Sequence, residues 1–249
     1  MIATMRSEFI KLRTVRSNIT MAIALFVIPL AISLLSVTFM KATNIDSGTL
    51  PGYLLATGAV AVLLIGVIGV LSVTQEYSQG TIRLTLSATP NRTRVYAAKG
   101  AVVALLGAAL MGLVVVVGTV VGSAILEARD IAGPHTDENT GAAFLAVISM
   151  GVLVALLGLA IGAITRNPPS AITTLVLWPL LVEGIVGGLL SVVFGGSARD
   201  WLPFQTGFNS TFLDVPDSVL GRWQGIGYFA AWVLAISVIA ERSLKRRDA

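Results

Sequence analysis

Cysteine is absent from this chain, histidine occurs once and charged residues make up only 12% of it. Without cysteine there are no disulfides, Cys-ligated zinc, iron–sulfur clusters or thiol catalysis, although the compartment stays undetermined. A lone histidine, His135, is too few for a His-cluster metal site and reads as a solvated loop residue. The charged fraction is about half the roughly 25% of an ordinary soluble domain, too little to cover a water-facing surface. No G-x-x-x-x-G-K-[ST] loop is present, and no polar stretch is long enough for a nucleotide-binding domain. The chain therefore cannot hydrolyse ATP by itself. It also lacks H-E-x-x-H, and its Ser, His and acidic residues are never gathered as a hydrolase would need.

What it does contain is apolar: 55% of its 249 residues, with a mean hydropathy of +0.86. These residues arrive in blocks of about 20, the span of a bilayer core. We expect an all-α polytopic membrane protein, a single domain over residues 1–249. Its six spans should run Thr20 to Met40, Leu54 to Val73, Ala101 to Leu126, Ala142 to Thr165, Ala171 to Phe194 and Gly225 to Ala240. The third is long enough to tilt or protrude. Arg166-Asn-Pro-Pro marks a tight reversal, because a proline pair disfavours continuing a helix. Six spans put both termini on one side. Thirteen of the 17 Lys and Arg fall on that side and four on the other, so the positive-inside rule makes both termini cytoplasmic.

Residues 1–17 precede the first span. Ile2, Met5, Phe9 and Leu12 form an apolar stripe at helical spacing, with Arg6, Lys11 and Arg13 mostly off it. A basic amphipathic helix of this kind lies in the headgroup region. The apolar block that follows exceeds a signal-peptide core of about 7–15 residues and is expected as a retained span. Glycine pairs at Gly118/Gly122, Gly158/Gly162 and Gly184/Gly188 have helix-packing spacing, within the subunit first and as a dimer seam second.

Three places are candidates for function. The first is the polar passage Gln75 to Lys99, which carries Arg83, Arg92, Arg94 and Lys99 and is expected as a cytoplasmic loop. Its residues Ile82, Leu84 and Leu86 alternate with polar ones, a strand signal, while Ile82 and Leu86 also share a helical face. The second is Glu183. It lies about 12 residues into span five, or roughly 18 Å, near the midplane. A charged side chain there costs on the order of 2.5–3.5 kcal/mol on insertion scales, so it must face protein or water or be protonated. Pro179, four residues earlier, cannot donate to the Leu175 carbonyl and should kink the helix. A substrate-path or proton-linked carboxylate and a paired structural one are equally open. The third is the connection 195–224, too apolar for a free loop at Trp201, Leu202, Pro203, Phe208 and Phe212. It is expected as short helices dipping into or lying on the outer leaflet, forming an outer gate, or as a packed cap.

Between Glu76 and Lys99 the residues Glu76, Gly80, Thr81, Ile82, Arg83, Leu86, Ala88, Thr89, Pro90, Arg92, Arg94 and Lys99 resemble the first cytoplasmic loop of bacterial, especially actinobacterial, ABC-2 type permeases. The motif covers a tenth of the chain. Residues 1–17 are similar to that family's connecting helix, and Leu202-Pro203 to its outer Leu-Pro element. The resemblance implies a short helix at 81–87 that docks into an ATP-binding subunit, with Glu76, Gly80, Thr81, Ile82, Arg83, Leu86 and Pro90 as coupling residues. It also implies two ATPase copies carrying ATP and Mg, a second permease copy or a related permease, surrounding membrane lipid, and no nucleic acid. The expected location is the bacterial inner membrane, and no cofactor is expected on this chain. The expected function is an exporter permease, with a lipophilic drug, lipid or peptide as substrate. The alternative is a gradient-driven carrier or channel using Glu183, with 75–99 an ordinary basic loop.

Overall fold

The computed structural model describes residues 2–88, 91–131, 133, 138–215 and 220–247. Helix α1 (Ile2–Thr14) breaks at Val15 and leads into α2 (Arg16–Phe39). A return follows through α3 (Thr49–Ser78), the short α4 (Ile82–Ala88) and α5 (Arg92–Glu127). Then come α6 (Glu138–Thr165), α7 (Pro168–Leu177) and α8 (Glu183–Phe194), α9 (Pro203–Asn209) and α10 (Arg222–Arg247). Six helical stretches are long and apolar enough to cross a membrane, with α7 and α8 together forming the fifth. Among the described residues there is no strand. The expected all-α, six-span architecture is therefore what the chain adopts. His135, Pro90, Thr89 and Val219 lie outside the described residues.

The helices outrun their apolar blocks. At 1.5 Å per residue, the 36 residues of α5 reach about 54 Å, well beyond a hydrocarbon core of about 30 Å. The passage expected as a loop between spans two and three is thus largely helix.

Helices α3 and α6 form the centre of the bundle, 72% and 56% buried along their apolar windows. Glycine sets their separation. A methyl group at Gly158 would collide with the Gly66 carbonyl oxygen, and one at Gly69 with the Ala155 carbonyl oxygen. The two backbones touch, as small residues in membrane helices allow. Gly162 packs against Val73 and Val70 of the same partner, while Gly118 and Gly122 on α5 receive Leu54 and Leu50 of α3. Gly184 and Gly188 differ, since neither has an atom within 4 Å of its missing Cβ. They sit on α8, in the fifth and least buried span at 11%. Between α2 and α3, Ser33 and Thr57 share a hydroxyl hydrogen bond of 2.7 Å.

The reversal at Arg166 has the form its prolines suggest. Arg166 has φ +58°, the Asn167 side chain caps α7 by accepting from the Ser170 N–H at 3.2 Å, and Pro168 takes the first helical position. At Pro179 the fifth span stays helical. Residues Trp178–Val182 widen into a π turn, in which the Glu183 N–H reaches back to the Trp178 carbonyl. A proline lacks the N–H that an α turn needs here, and the widened register absorbs the gap.

Candidate functional site

One end of the bundle gathers α1, the end of α3, α4, the start of α5, the α6–α7 reversal and the end of α10. The turn after α3 breaks at Gly80, with φ +69° in the left-handed region that a side chain would strain. No atom lies within 4 Å of its missing Cβ, so the backbone conformation alone asks for glycine. Past Gly80 the chain forms α4. The alternation of Ile82, Leu84 and Leu86 does not become a strand, because there is none beside it to pair with and a helical turn satisfies its own backbone. Leu84 is 71% exposed and Arg83 is exposed, while Thr81 and Ile82 are half-buried.

Behind α4 lies a buried network of four charges. The Lys99 ammonium donates to Glu8 Oε2 at 2.5 Å, to Glu76 Oε1 at 2.7 Å and to the Ser72 carbonyl at 3.0 Å, using all three of its donors. Lys11 donates to Glu8 Oε1 and Glu76 Oε1, both at 2.8 Å, and to Thr85 Oγ1 of α4 at 3.3 Å. Glu8, Glu76 and Lys99 are 4%, 7% and 2% exposed. Two carboxylates and two ammoniums cancel, which is how ionic groups tolerate such burial. Glu76 Oε2 is buried without a hydrogen-bond partner. Lys99, expected as a basic residue of a cytoplasmic loop, instead turns inward, where two carboxylates hold it. Burial pulls the Lys11 pKa down, but hydrogen bonds and attraction from Glu76 and Glu8 outweigh this and raise it above its ordinary value. The network joins α1, α3, α4 and α5, and beside it opens a cavity of about 310 Å³ that Glu8, Lys11, Gln75 and Thr85 help to line.

The stitching continues outward. Gln75 Nε2 donates to Ser17 Oγ at 2.6 Å and to Asn18 Oδ1 at 3.3 Å, tying α3 to the start of α2. Arg92 donates to the Leu244 carbonyl at 2.7 Å, and Thr93 Oγ1 to Glu241 Oε1 at 2.9 Å, tying α5 to α10. Arg166 lies over the Tyr77 ring, 5.0 Å from its centroid, in cation–π geometry.

The expected stripe on α1 is divided. Leu12 is buried with Glu8 on the inner face, whereas Phe9 and Ile10 are 49% and 51% exposed on the other. The ion pairs, which the stripe did not weigh, decide which face turns inward.

Inside the fifth span, Glu183 is 5% exposed and accepts from the Phe204 N–H at 3.0 Å, the Gln205 N–H at 2.9 Å and Trp178 Nε1 at 3.3 Å. These amides belong to the first turn of α9, so the carboxylate serves groups that a helix start leaves unpaired. The connection packs rather than floats. Phe204 meets Phe229 edge-on at 5.0 Å and Phe208 stacked at 6.1 Å. Trp201, 48% exposed, meets Tyr228 edge-on at 6.1 Å. Leu202 and Pro203 are half-buried at the α9 entry, and Phe212 is 45% exposed. Arg222 donates to the carbonyls of Ser210, Phe212 and Leu213 and to Asn139 Oδ1. Arg129 donates to those of Val37 and Met40.

The structure thus draws Glu76 into one constellation with Glu8 and Lys11, which carried no weight as site residues in the sequence. A signal for Glu8 was available, as the sole acid among four basic residues in 1–17 and three positions before Lys11. Arg129, Arg222 and Phe204 had none, since their partners are backbone groups or distant rings. The backbone of Leu86 lies in α4.

The description "ABC-2 family transporter protein" matches residues 4–194, from α1 to the last residue of α8. No curated protein matches the chain.

Proposed function

Since this chain belongs to the ABC-2 transporter family and is a multi-pass membrane permease component of an ABC transporter, we propose that α4 is its contact with the ATPase and the four-charge network its transmission point. The observation that carries this reading is a seven-residue helix, exposed at Arg83, Leu84 and Ser87 and set off by Gly80, whose Thr85 is held by the same Lys11 that pairs Glu8 and Glu76. A partner seated on Arg83 and Leu84 would move α4, and Lys11 would pass that movement to α1 and α3. Lys99 would pass it to α5. Gly80 leaves α4 free to tilt.

The basic end then faces the bacterial cytoplasm, consistent with the bias of Lys and Arg. Two ATPase copies bring ATP and Mg, and a second permease copy or a related permease completes the path. Transport runs outward. The spans hold few charges or aromatic side chains with which to recognise a polar sugar, which favours a lipophilic drug, lipid or peptide. At the far end, α9 meets Glu183 eleven residues before the end of α8, about 16 Å along the helix. That depth supports a connection that re-enters the outer leaflet and gates the exit through Trp201, Leu202, Pro203, Phe208 and Phe212. Glu183 and Pro179 then act where the path meets that gate.

The test is co-purification with an ABC ATPase co-expressed with this chain, together with ATPase stimulation. Arg83→Glu and Leu84→Asp, both at exposed positions, should leave thermal melting in detergent unchanged and reduce association at least about tenfold, which is 1.4 kcal/mol. Association and stimulation equal to wild type in both variants would remove α4 from the interface.

A further inference from the structure

Helix α1 sorts its charges by face. Glu8 and Lys11 point inward to the network, while Arg6 and Arg13 are exposed and hold no hydrogen bond or ion pair among the described residues. Seven residues apart, the two arginines project from one side of the helix with Phe9 between them. On either side of Phe9 runs an apolar groove. One, of about 650 Å³, lies between α1 and α5, walled by Met5, Val102, Leu105 and Ala109, with Arg6 at its edge. The other, of about 380 Å³, lies between α1, α2 and α5, walled by Ala22, Ile23, Phe26 and Leu110, with Arg13 at its edge. Leu106 and Phe9 are common to both. From their arginine ends the grooves follow α5 and α2 into the spans.

We infer that this is a binding site for one anionic phospholipid, whose two acyl chains straddle Phe9 and whose phosphate is held by Arg6 and Arg13. The occupant follows from three features together: paired apolar grooves, unneutralised guanidinium groups at their mouths, and a spanning bundle that places them at a membrane surface. Arginine forks match phosphate oxygens, and a basic residue near an anionic leaflet favours binding severalfold. A soluble acidic peptide would leave the grooves empty, and a zwitterionic lipid would gain little from the two arginines. The site shares α1 with the charge network but none of its charged groups, so a bound lipid would brace the outer face of the helix whose inner face holds Lys11 and Glu76. This assignment rests on the reading that the basic end meets the inner leaflet.

The experiment uses the full chain purified in detergent, stripped of lipid and titrated with phosphatidylglycerol or phosphatidylcholine while bound lipid is counted by native mass spectrometry. Phosphatidylglycerol should bind about tenfold more tightly, and Arg6→Gln/Arg13→Gln should bring the two lipids to parity with melting unchanged. Phe9→Ala should weaken both lipids by merging the grooves. Equal binding of the two lipids by the wild-type chain, or a phosphatidylglycerol preference that survives the double substitution, overturns the site. Impermeant labelling of a cysteine placed at Arg13 in vesicles reports the side separately. Lipid selectivity needs no ATPase, so its failure and a failure of the α4 assignment read out independently.

Discussion

Glu76 and Glu183 are buried almost equally, at 7% and 5% exposure, one near the end of α3 and the other inside the fifth span. Glu76 is held by two lysine ammoniums from two other helices, Glu183 by backbone amides of a short helix and one indole. The difference is one of mobility. Ammonium groups on four-carbon stems can follow a carboxylate as helices shift, and Lys11 and Lys99 have Glu8 as a second acceptor. Amide donors are fixed in the chain, so Glu183 sets the path of residues 203–205. Arg129 and Arg222 repeat this second pattern, binding carbonyls that end α2 or follow α9. One region of the molecule is pinned side chain to side chain, the other side chain to backbone.

This contrast can be broken from either side. The largest effect is expected for Lys99→Met, which leaves the buried Glu8 and Glu76 with Lys11 as their one remaining cation. Thermal or chemical melting in detergent should show a loss of about 3–5 kcal/mol. Lys99→Arg, which keeps a cation between Glu8 and Glu76, should recover a measurable part, because the partners are side chains. Glu183→Leu comes next, leaving two buried amides without acceptors at a cost of roughly 2–4 kcal/mol. Glu183→Gln keeps one acceptor and should lose about half as much. No exchange of charges should rescue either variant, and a basic substitution nearby that did so would erase the distinction. The same pair, assayed for transport, tests the path role: wild-type activity in both excludes it.

Smaller still is Gly158→Ala, predicted to cost about 1–3 kcal/mol by forcing α6 from α3, while Gly184→Ala should fall within about 0.5 kcal/mol. The smallest effect concerns pH. Because the folded pKa of Lys11 is raised above 10.5, its contribution is complete below that value and is lost as pH rises through the folded pKa. Melting should therefore show no Lys11-dependent change between neutral pH and about 10, as measured against Lys11→Met.

Six spans were legible because a bilayer demands apolar blocks of a fixed length, a signal independent of tertiary contacts. The ends of α3 and α5 were not. Glu76 and Lys99 look like loop residues one at a time, and their burial becomes affordable only when Glu8 arrives from another element. Gly80 was legible as a break, since glycine is what a left-handed turn selects. Glu183 was legible as a conspicuous residue but not in its engagement, because its acceptor oxygens meet amides 21 and 22 positions along the chain, and amides leave no mark in a sequence.

The glycine seam between α3 and α6 has a mechanical consequence. Helices whose backbones touch have no side-chain cushion in which to shear, so they move as one stiff beam rather than sliding past each other. Glu76 stands near one end of α3, and Met150, near the middle of α6, lies against Gly207 of α9. A tilt at Glu76 would therefore be carried towards α9 through the seam at Gly66 and Gly158 instead of being absorbed by side chains between the helices. The short helix fastened by Glu183 and the charge network at Glu76 are then joined through one rigid part.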